Sequence, residues 1–271
     1  ADSYLKELPS KPLGIVCPST TSCLVVGYKN SGSASVATAE KWTASGGIWA
    51  TEGEMTVPQP SGGGYVTLND VSCTSESACT AVGSYDKENK AWTLAERWNG
   101  TSWSIQTTAN PTSGGAELLG VSCDSSTSCT AVGRTSNSET FAERWNGSSW
   151  SISSTSKPSP SVASTLEDVS CTSSSNCLAV GSYREGKEGT ANNKKTLTER
   201  WNGSSWSIVS SPNPAVHYGA QLLEISCVSS TSCAAVGRYV SATSFGSEYE
   251  AYAKEEKTLV ESWNGSEWGI Q

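Results

Sequence analysis

The stretch Leu118–Ile152, LLGVSCDSSTSCTAVGRTSNSETFAERWNGSSWSI, recurs in five variant copies along the chain of 271 residues. Each copy carries a C-x5-C pair, a following AVG or VVG, an E-[RKS]-W triplet and a second tryptophan. The first cysteines of the pairs are 56, 50, 48 and 56 residues apart, at Cys17, Cys73, Cys123, Cys171 and Cys227. Repeats of about 40 to 50 residues made of short strands are typical of β-propeller blades. The sequence therefore predicts an all-β, five-bladed β-propeller with four antiparallel strands in each blade.

Each copy contains four strand signals, called a to d. Strand a ends at the first cysteine, as in LEDVSC from Leu166, and strand b begins at the second, as in CLAVGSY from Cys177. Strand c ends in the E-[RKS]-W triplet, and strand d starts at the second tryptophan. An Asn-Gly pair joins c to d in four copies, which favours a tight hairpin because both residues tolerate a positive φ. The first copy instead has the longer TASGGI between Trp42 and Trp49.

The copies leave only the N-terminal residues unassigned, so a single domain over residues 1–271 is predicted. Residues 1–11 form an N-terminal tail that either pairs with the last blade or docks on the ring. The predicted blades cover about 12–60, 61–110, 111–160, 161–214 and 215–271.

The ten cysteines form five identical local pairs with none left over. This pattern predicts one disulfide bond across the a–b hairpin of each blade. The predicted bonds are Cys17–Cys23, Cys73–Cys79, Cys123–Cys129, Cys171–Cys177 and Cys227–Cys233. Disulfides persist in oxidising compartments, so the chain is predicted to be secreted and extracellular. Zinc is the alternative, but a tetrahedral site needs four convergent ligands and one pair supplies two. No metal and no cofactor is predicted.

Charge and hydropathy argue against two classes of partner. The net charge is −8 and the chain has no Lys/Arg block. Because nucleic-acid affinity rests largely on clustered cations, no nucleic-acid partner is predicted. The chain has no run of 18 apolar residues. It is therefore predicted to be a mature secreted form that neither spans a membrane nor retains a signal peptide.

The c–d hairpin, with its N-G-x-x-W pattern after an inner strand and an AVG strand, resembles the Asp-box blade of sialidase-like propellers, with Asn in place of Asp. Five blades of about 50 residues also resemble the tachylectin-type lectin ring. The ERWNGxSW units are similar to those of secreted actinobacterial repeat proteins. This resemblance covers Pro12–Gln271 and implies a bacterial, lectin-like module that binds a glycan or cell-surface ligand. Such propellers occur as adaptor subunits of secreted antibacterial toxin particles, which implies other subunits as further partners.

Alternating strand directions place the a–b loops and c–d turns on one rim, and the b–c loops and d–a connectors on the other. The first rim is regular in sequence and the second is variable, so the variable rim is predicted to bind the ligand. Aromatic side chains there are suited to stack on sugars or to anchor a protein interface. The candidate ligand-binding residues are Tyr85, Trp92, Tyr183, His217, Tyr218, Tyr239, Tyr249 and Tyr252. The alternative is that these side chains only cover the loops in which they lie.

The third residue before the first cysteine is Gly14, Asp70, Gly120, Asp168 or Glu224 in the successive copies. The carboxylates Asp70, Asp168 and Glu224 are predicted to face the central channel, and they resemble in outline the acid triad of five-bladed glycoside hydrolases. Paired carboxyls can hydrolyse glycosidic bonds, but acids at a repeated position also hydrogen-bond backbone groups. We predict no catalytic residues and a non-catalytic carbohydrate-recognition module. The alternatives are a protein-binding adaptor that uses the long fifth-blade loop, and a glycoside hydrolase.

Overall fold

The computed structural model describes residues 11–111, 115–185, 194–215, 219–242 and 254–271. Every regular element in these ranges is a β-strand. The described residues include no helix that could cross a membrane.

The described residues contain twenty strands, which form five four-stranded blades in chain order. Blade 1 consists of β1 (Lys11–Ser19), β2 (Ser22–Ser31), β3 (Ala34–Ser45) and β4 (Ile48–Met55). Blade 2 consists of β5 (Val66–Ser75), β6 (Ala78–Lys87), β7 (Lys90–Trp98) and β8 (Trp103–Gln106). Blade 3 consists of β9 (Ala116–Ser125), β10 (Ser128–Thr135), β11 (Thr140–Trp145) and β12 (Trp150–Ile152). Blade 4 consists of β13 (Ala163–Ser173), β14 (Asn176–Arg184), β15 (Lys194–Trp201) and β16 (Trp206–Val209). Blade 5 consists of β17 (Gly219–Ser229), β18 (Ser232–Ala242), β19 (Lys254–Trp263) and β20 (Trp268–Ile270).

Within each blade the strands are antiparallel and follow one another from the inner strand to the outer edge. The inner strands β1, β5, β9, β13 and β17 pack each against the next in that order. A parallel bridge between Lys194 and Gly219 further links blade 4 to blade 5. The predicted five-bladed, four-stranded architecture is confirmed.

All five predicted disulfide bonds are present, each across the first hairpin of its blade. In blade 2, for example, Cys73 and Cys79 face each other on β5 and β6. The pairing is local because the two cysteines of a copy are six residues apart and the hairpin brings them directly opposite.

The Asn-Gly turns form as predicted in blades 2 to 5. Asn99 Oδ1 accepts hydrogen bonds from the N–H groups of Thr101 and Ser102, and Gly100 has a φ of 95°. The turn places Trp98 and Trp103 opposite each other, with ring centroids 5.7 Å apart. In blade 1 the longer turn pairs Trp42 with Thr51 instead and leaves Trp49 45% exposed.

The E-R-W triplet at the end of the third strand joins neighbouring blades. In blade 3 the buried Glu143 carboxylate reaches back to blade 2, where it accepts hydrogen bonds from Thr93 Oγ1 (3.1 Å) and the Ala109 N–H (2.9 Å). Arg144 reaches forward to blade 4, and its guanidinium carbon lies 4.2 Å from the ring centroid of Trp201. One triplet therefore makes contacts in both directions along the arc of blades.

Among the described residues, nothing covers the face of blade 1 that is turned toward blade 5 or the face of blade 5 that is turned toward blade 1. We call the space between these two faces the seam. On blade 1, Ile15 is 65% exposed, whereas its counterpart Ile225 in blade 5 is 8% exposed. On blade 5, Val236 is 43% exposed, whereas its counterpart Val82 in blade 2 is fully buried. Among the described residues, β17 and β1 lack the packing that joins the other consecutive inner strands. No described element therefore lies against the face of β1 that carries Ile15.

Matched substitutions at Ile15 and Ile225 test whether the seam is open in solution. We expect Ile225→Ala to lower the free energy of unfolding by about 2 to 5 kcal/mol, because it leaves a cavity between blades. Ile15→Ala is expected to change it by less than about 1 kcal/mol, as at other exposed positions. Urea titrations of both variants measure the difference. Equal losses would show that another surface covers blade 1 in solution.

Candidate functional site

The predicted aromatic residues are only partly within the described chain. Tyr85, Trp92, Tyr183 and Tyr239 are described, whereas His217, Tyr218, Tyr249 and Tyr252 lie outside the described residues. The three described tyrosines share one repeat position, six residues after the second cysteine of their copies. Each is half-buried at the variable end of the second strand and packs against a hydrophobic core cluster.

Tyr85 and Trp92 are cross-strand partners in the β6–β7 hairpin of blade 2. The Trp92 Nε1 donates a hydrogen bond of 3.3 Å to the Lys87 carbonyl within the same hairpin. These contacts fit the alternative interpretation, in which the aromatic side chains cover their own loop.

Tyr183 borders a cavity of about 410 Å³ between the outer strands of blade 4 and the connector from blade 3. The wall combines the apolar Ile208 with the hydroxyl of Ser159 and the amide of Asn213. The Tyr183 hydroxyl donates a hydrogen bond of 3.3 Å to Glu185 Oε1. The volume falls in the range of about 300 to 1,000 Å³ that is typical of small-molecule sites, and the lining is mainly polar, with Ser, Thr and Asn side chains beside Tyr183 and Ile208.

Asp70 and Asp168 join the inner strands of neighbouring blades. The Asp70 carboxylate accepts one hydrogen bond from the Val71 N–H (2.7 Å) and another from the Val121 N–H of blade 3 (2.8 Å). Asp168 makes the equivalent pair of bonds, one within β13 and one to β17 of blade 5. Each carboxylate therefore clamps two blades together.

The three predicted channel acids interact electrostatically around the axis. Burial raises the pKa of Asp70 to about 6, two backbone N–H groups oppose the shift, and the charge of Glu224 adds to it. Burial also raises the pKa of Asp168 well above its usual range, and the charges of Asp70 and Glu224 contribute. Within the described ranges, no group of three or more His, Cys, Asp and Glu residues is arranged to hold a metal ion.

At this repeat position, blades 1 and 3 carry glycine and blades 2 and 4 carry aspartate. The inner strands of neighbouring blades approach so closely that the glycine positions have no room for a side chain. A Cβ atom on Gly120 would lie 2.6 Å from the Cα of Asp168, and one on Gly14 would lie 2.8 Å from the Cα of Asp70. Both distances are shorter than any normal carbon–carbon contact. A glycine in one blade therefore makes room for the aspartate of the next.

Comparison with solved structures places this architecture among known propellers. A fucose-specific lectin from Aleuria aurantia superimposes with a TM-score of 0.51 at 15% identity, over 92% of this chain and 73% of the lectin. An Aleuria aurantia lectin described as a six-bladed β-propeller gives 0.51 at 14% identity, over 96% and 77% of the two chains. An exo-1,5-α-L-arabinanase from a bovine ruminal metagenomic library gives 0.52 at 7% identity, over 96% and 95%. The fold is a β-propeller. At 7 to 15% identity, these solved structures show the fold of this chain but neither a ligand nor an activity. No protein-family model and no curated protein matches the chain.

Four cations that the sequence analysis did not single out converge on the variable rim of this propeller. They are Arg134, Arg184, Lys194 and Arg238. The first three border a narrow cavity of about 70 Å³, which Tyr183 also lines. Lys194 and Arg238 border the next cavity, of about 210 Å³, which Tyr239 lines. The four cations are not consecutive in the sequence, so no Lys/Arg block predicts the cluster. The one local difference is that the third and fifth copies read AVGR, which ends in Arg134 and Arg238, where the second and fourth read AVGS.

A cavity of about 590 Å³ with a mainly apolar lining lies on the seam face of blade 1 and includes Ile15, Val25, Trp42 and Trp49. Ile15 is the counterpart of Ile225, which is buried between blades. We therefore interpret this surface as an exposed blade-packing face, and place the candidate ligand site on the variable rim.

Proposed function

We propose that this chain is a secreted, non-catalytic recognition module that binds carbohydrate through its variable rim. The observation that carries the proposal is the cavity beside Tyr183, on a propeller whose fold is shared with lectins. Secretion is supported by the five disulfide bonds, which persist in oxidising compartments.

The chemistry of the cavity suits a sugar. A sugar ring has apolar C–H faces and a polar edge of hydroxyls, so it needs a flat apolar wall beside hydrogen-bonding groups. Tyr183 and Ile208 supply the wall, and Ser159, Ser210 and Asn213 supply hydroxyl and amide groups. The hydrogen bond from Tyr183 to Glu185 restrains the ring before ligand arrives.

Binding of purified protein to a glycan array, followed by calorimetry on the glycans bound, tests this site. We expect Tyr183→Ala to weaken binding about tenfold, because interface aromatics are commonly worth ~1 to 2 kcal/mol. Tyr85→Ala is the matched control, since Tyr85 holds the same repeat position in blade 2, and it is expected to bind normally. Circular dichroism checks that both variants are folded. Loss of binding in Tyr85→Ala alone would move the site to blade 2, and a blank array would refute carbohydrate recognition.

A glycoside hydrolase is the second candidate, because an arabinanase shares the fold and the three channel acids interact. Against it, both oxygens of the Asp70 and Asp168 carboxylates accept main-chain N–H groups. A glycosidase needs carboxyls free to protonate the leaving oxygen and to attack or activate water. Release of sugar that is abolished by Asp168→Asn would replace the recognition module with this enzyme. The adaptor alternative relies on a fifth-blade loop that lies mostly outside the described residues.

A further inference from the structure

We propose that the variable rim recognises an acidic sugar, whose sulfate or carboxylate group binds in the narrow cavity between Lys194, Arg184 and Arg134. This inference rests on the proposed function, because it names the class of glycan for the same site.

The strand register and the blade packing build this cavity. Arg184 and Lys194 are direct partners across β14 and β15 of blade 4, and Arg134 of blade 3 borders the same space. The cavity volume is about 70 Å³. This volume is far below the roughly 300 to 1,000 Å³ of typical small-molecule cavities, so the space suits a small group such as a single oxyanion.

Among the described residues, two of the cations in this cluster form no salt bridge, although the charge of Glu167 acts on one of them, Lys194. Arg134 and Arg238 form salt bridges with Glu117 and Glu256. The Lys194 Nζ instead donates a hydrogen bond of 2.7 Å to the neutral Gln221 Oε1. Neither Lys194 nor Arg184 forms a salt bridge within the described part of the chain.

The surroundings of Lys194 disfavour its positive charge in the absence of an anion. Burial lowers the pKa of Lys194, and Arg184, Arg238 and Arg134 add to the shift, whereas Glu167 opposes it. A bound oxyanion would offset both the burial and the repulsion, and would form charge-assisted hydrogen bonds with the cations. The site stands out in a protein whose net charge is −8.

Tyr183 connects the anion cavity to the proposed sugar site. It lines both the cavity of about 70 Å³ and the cavity of about 410 Å³. A sugar ring beside Tyr183 would therefore present a substituent to the cations. The neutral ring and its charged group each have a space of suitable size and chemistry.

The test compares matched acidic and neutral glycans bound to the full chain at low ionic strength. The probes are sulfated and unsulfated galactans, chondroitins and glucans, and polygalacturonate beside galactan, with inorganic sulfate as a further titrant. We expect at least one acidic glycan to bind about tenfold or more tightly than its neutral partner, as one charge-assisted hydrogen bond allows. Lys194→Gln and Arg184→Gln are each expected to remove most of that difference. Lys90→Gln, an exposed lysine of blade 2 near the same rim, is expected to preserve it.

The outcomes separate this inference from the function on which it rests. Equal affinity for the acidic and neutral members of every pair would overturn the anion site and leave carbohydrate recognition intact. No binding to any glycan would refute both. If inorganic sulfate bound as tightly as the best sulfated glycan, the cavity would be an isolated anion site, and its assignment to an acidic sugar would be wrong.

Discussion

Reduction of the five disulfide bonds is expected to unfold the protein at neutral pH. Each bond closes a short hairpin loop, with the two cysteines six residues apart, and contributes roughly 2 kcal/mol by restricting the unfolded chain. The five bonds lie in separate blades, so their contributions should be nearly additive and reach roughly 10 kcal/mol. An ordinary domain has a total stability of about 5 to 15 kcal/mol. Guanidinium titrations followed by circular dichroism, with and without a phosphine reductant, measure the effect.

A variant that lacks one bond provides the control. Cys123→Ala combined with Cys129→Ala is expected to lower the free energy of unfolding by roughly 2 kcal/mol and to remain folded. If the fully reduced protein unfolded at the same denaturant concentration as this variant, the disulfide bonds would not act additively. The other four bonds would then add little to the stability of the propeller.

Glu96→Gln is expected to stabilise the protein by a few kcal/mol at pH 8 and to change little at pH 5. Burial raises the pKa of Glu96 to about 8, from an ordinary value of 4.5. Between pH 4.5 and pH 8, the Glu96 carboxyl keeps its proton in the folded state and has lost it in the unfolded state. The Glu96 contribution therefore makes stability fall by about 1.4 kcal/mol per pH unit as the pH rises through this window. The amide removes the charge and with it this slope.

Burial raises the pKa of Glu96 this far because blade 1 lacks the hydrogen-bond donors that blade 2 provides for Glu143. Neither oxygen of the Glu96 carboxyl has a hydrogen-bond partner among the described residues. Blade 2 offers Glu143 a threonine hydroxyl and a main-chain N–H, whereas blade 1 has Ala37 and Pro58 at the matching positions. The match is shown by Asn110 and Gln59, whose side-chain oxygens accept equivalent hydrogen bonds from the main-chain N–H groups of Thr93 and Ala37. Alanine has no hydroxyl and proline has no N–H. Glu96 is therefore buried without compensation.

Denaturant titrations at pH 5 and pH 8 measure the effect of Glu96→Gln. Burial also raises the pKa of Glu199 and of Glu261 to about 7, so the variant should keep a smaller slope in the same direction. Glu267→Gln, at an exposed turn position, is the control and is expected to match the unmodified protein at both pH values. Unchanged stability of Glu96→Gln at pH 8 would show that water or another group reaches this carboxylate.

The blade architecture was predictable because its determinants are local and repeated. The six-residue spacing of Cys73 and Cys79 favours a hairpin with a disulfide bond across it. The Asn-Gly pair at Asn99 and Gly100 defines the next hairpin through a positive φ and an Asn side chain that accepts the turn N–H groups. Each of these features can be identified from fewer than ten residues. The cysteine pair occurs in all five copies and the Asn-Gly pair in four.

The buried glutamate of the E-R-W triplet was not predicted to join blades, although all five copies contain it. Its partners, such as Ala109 for Glu143, lie in the preceding blade. Sequence periodicity shows which residues share a strand, but it does not show which side chains meet between two sheets. Glu96 differs from Glu143 only through residues of another blade.

By itself, the sequence determined the blade, its four strands, its disulfide bond and its turns, because neighbouring residues specify all of them. The tertiary structure alone decided that blades 5 and 1 leave Ile15 and Val236 exposed, since identical repeat positions differ only in what lies against them. It also decided that Arg134, Arg184 and Lys194 border one cavity. These cations are scattered along the chain, and only the packing of one blade on the next, together with the β14–β15 register, brings their charges into one space.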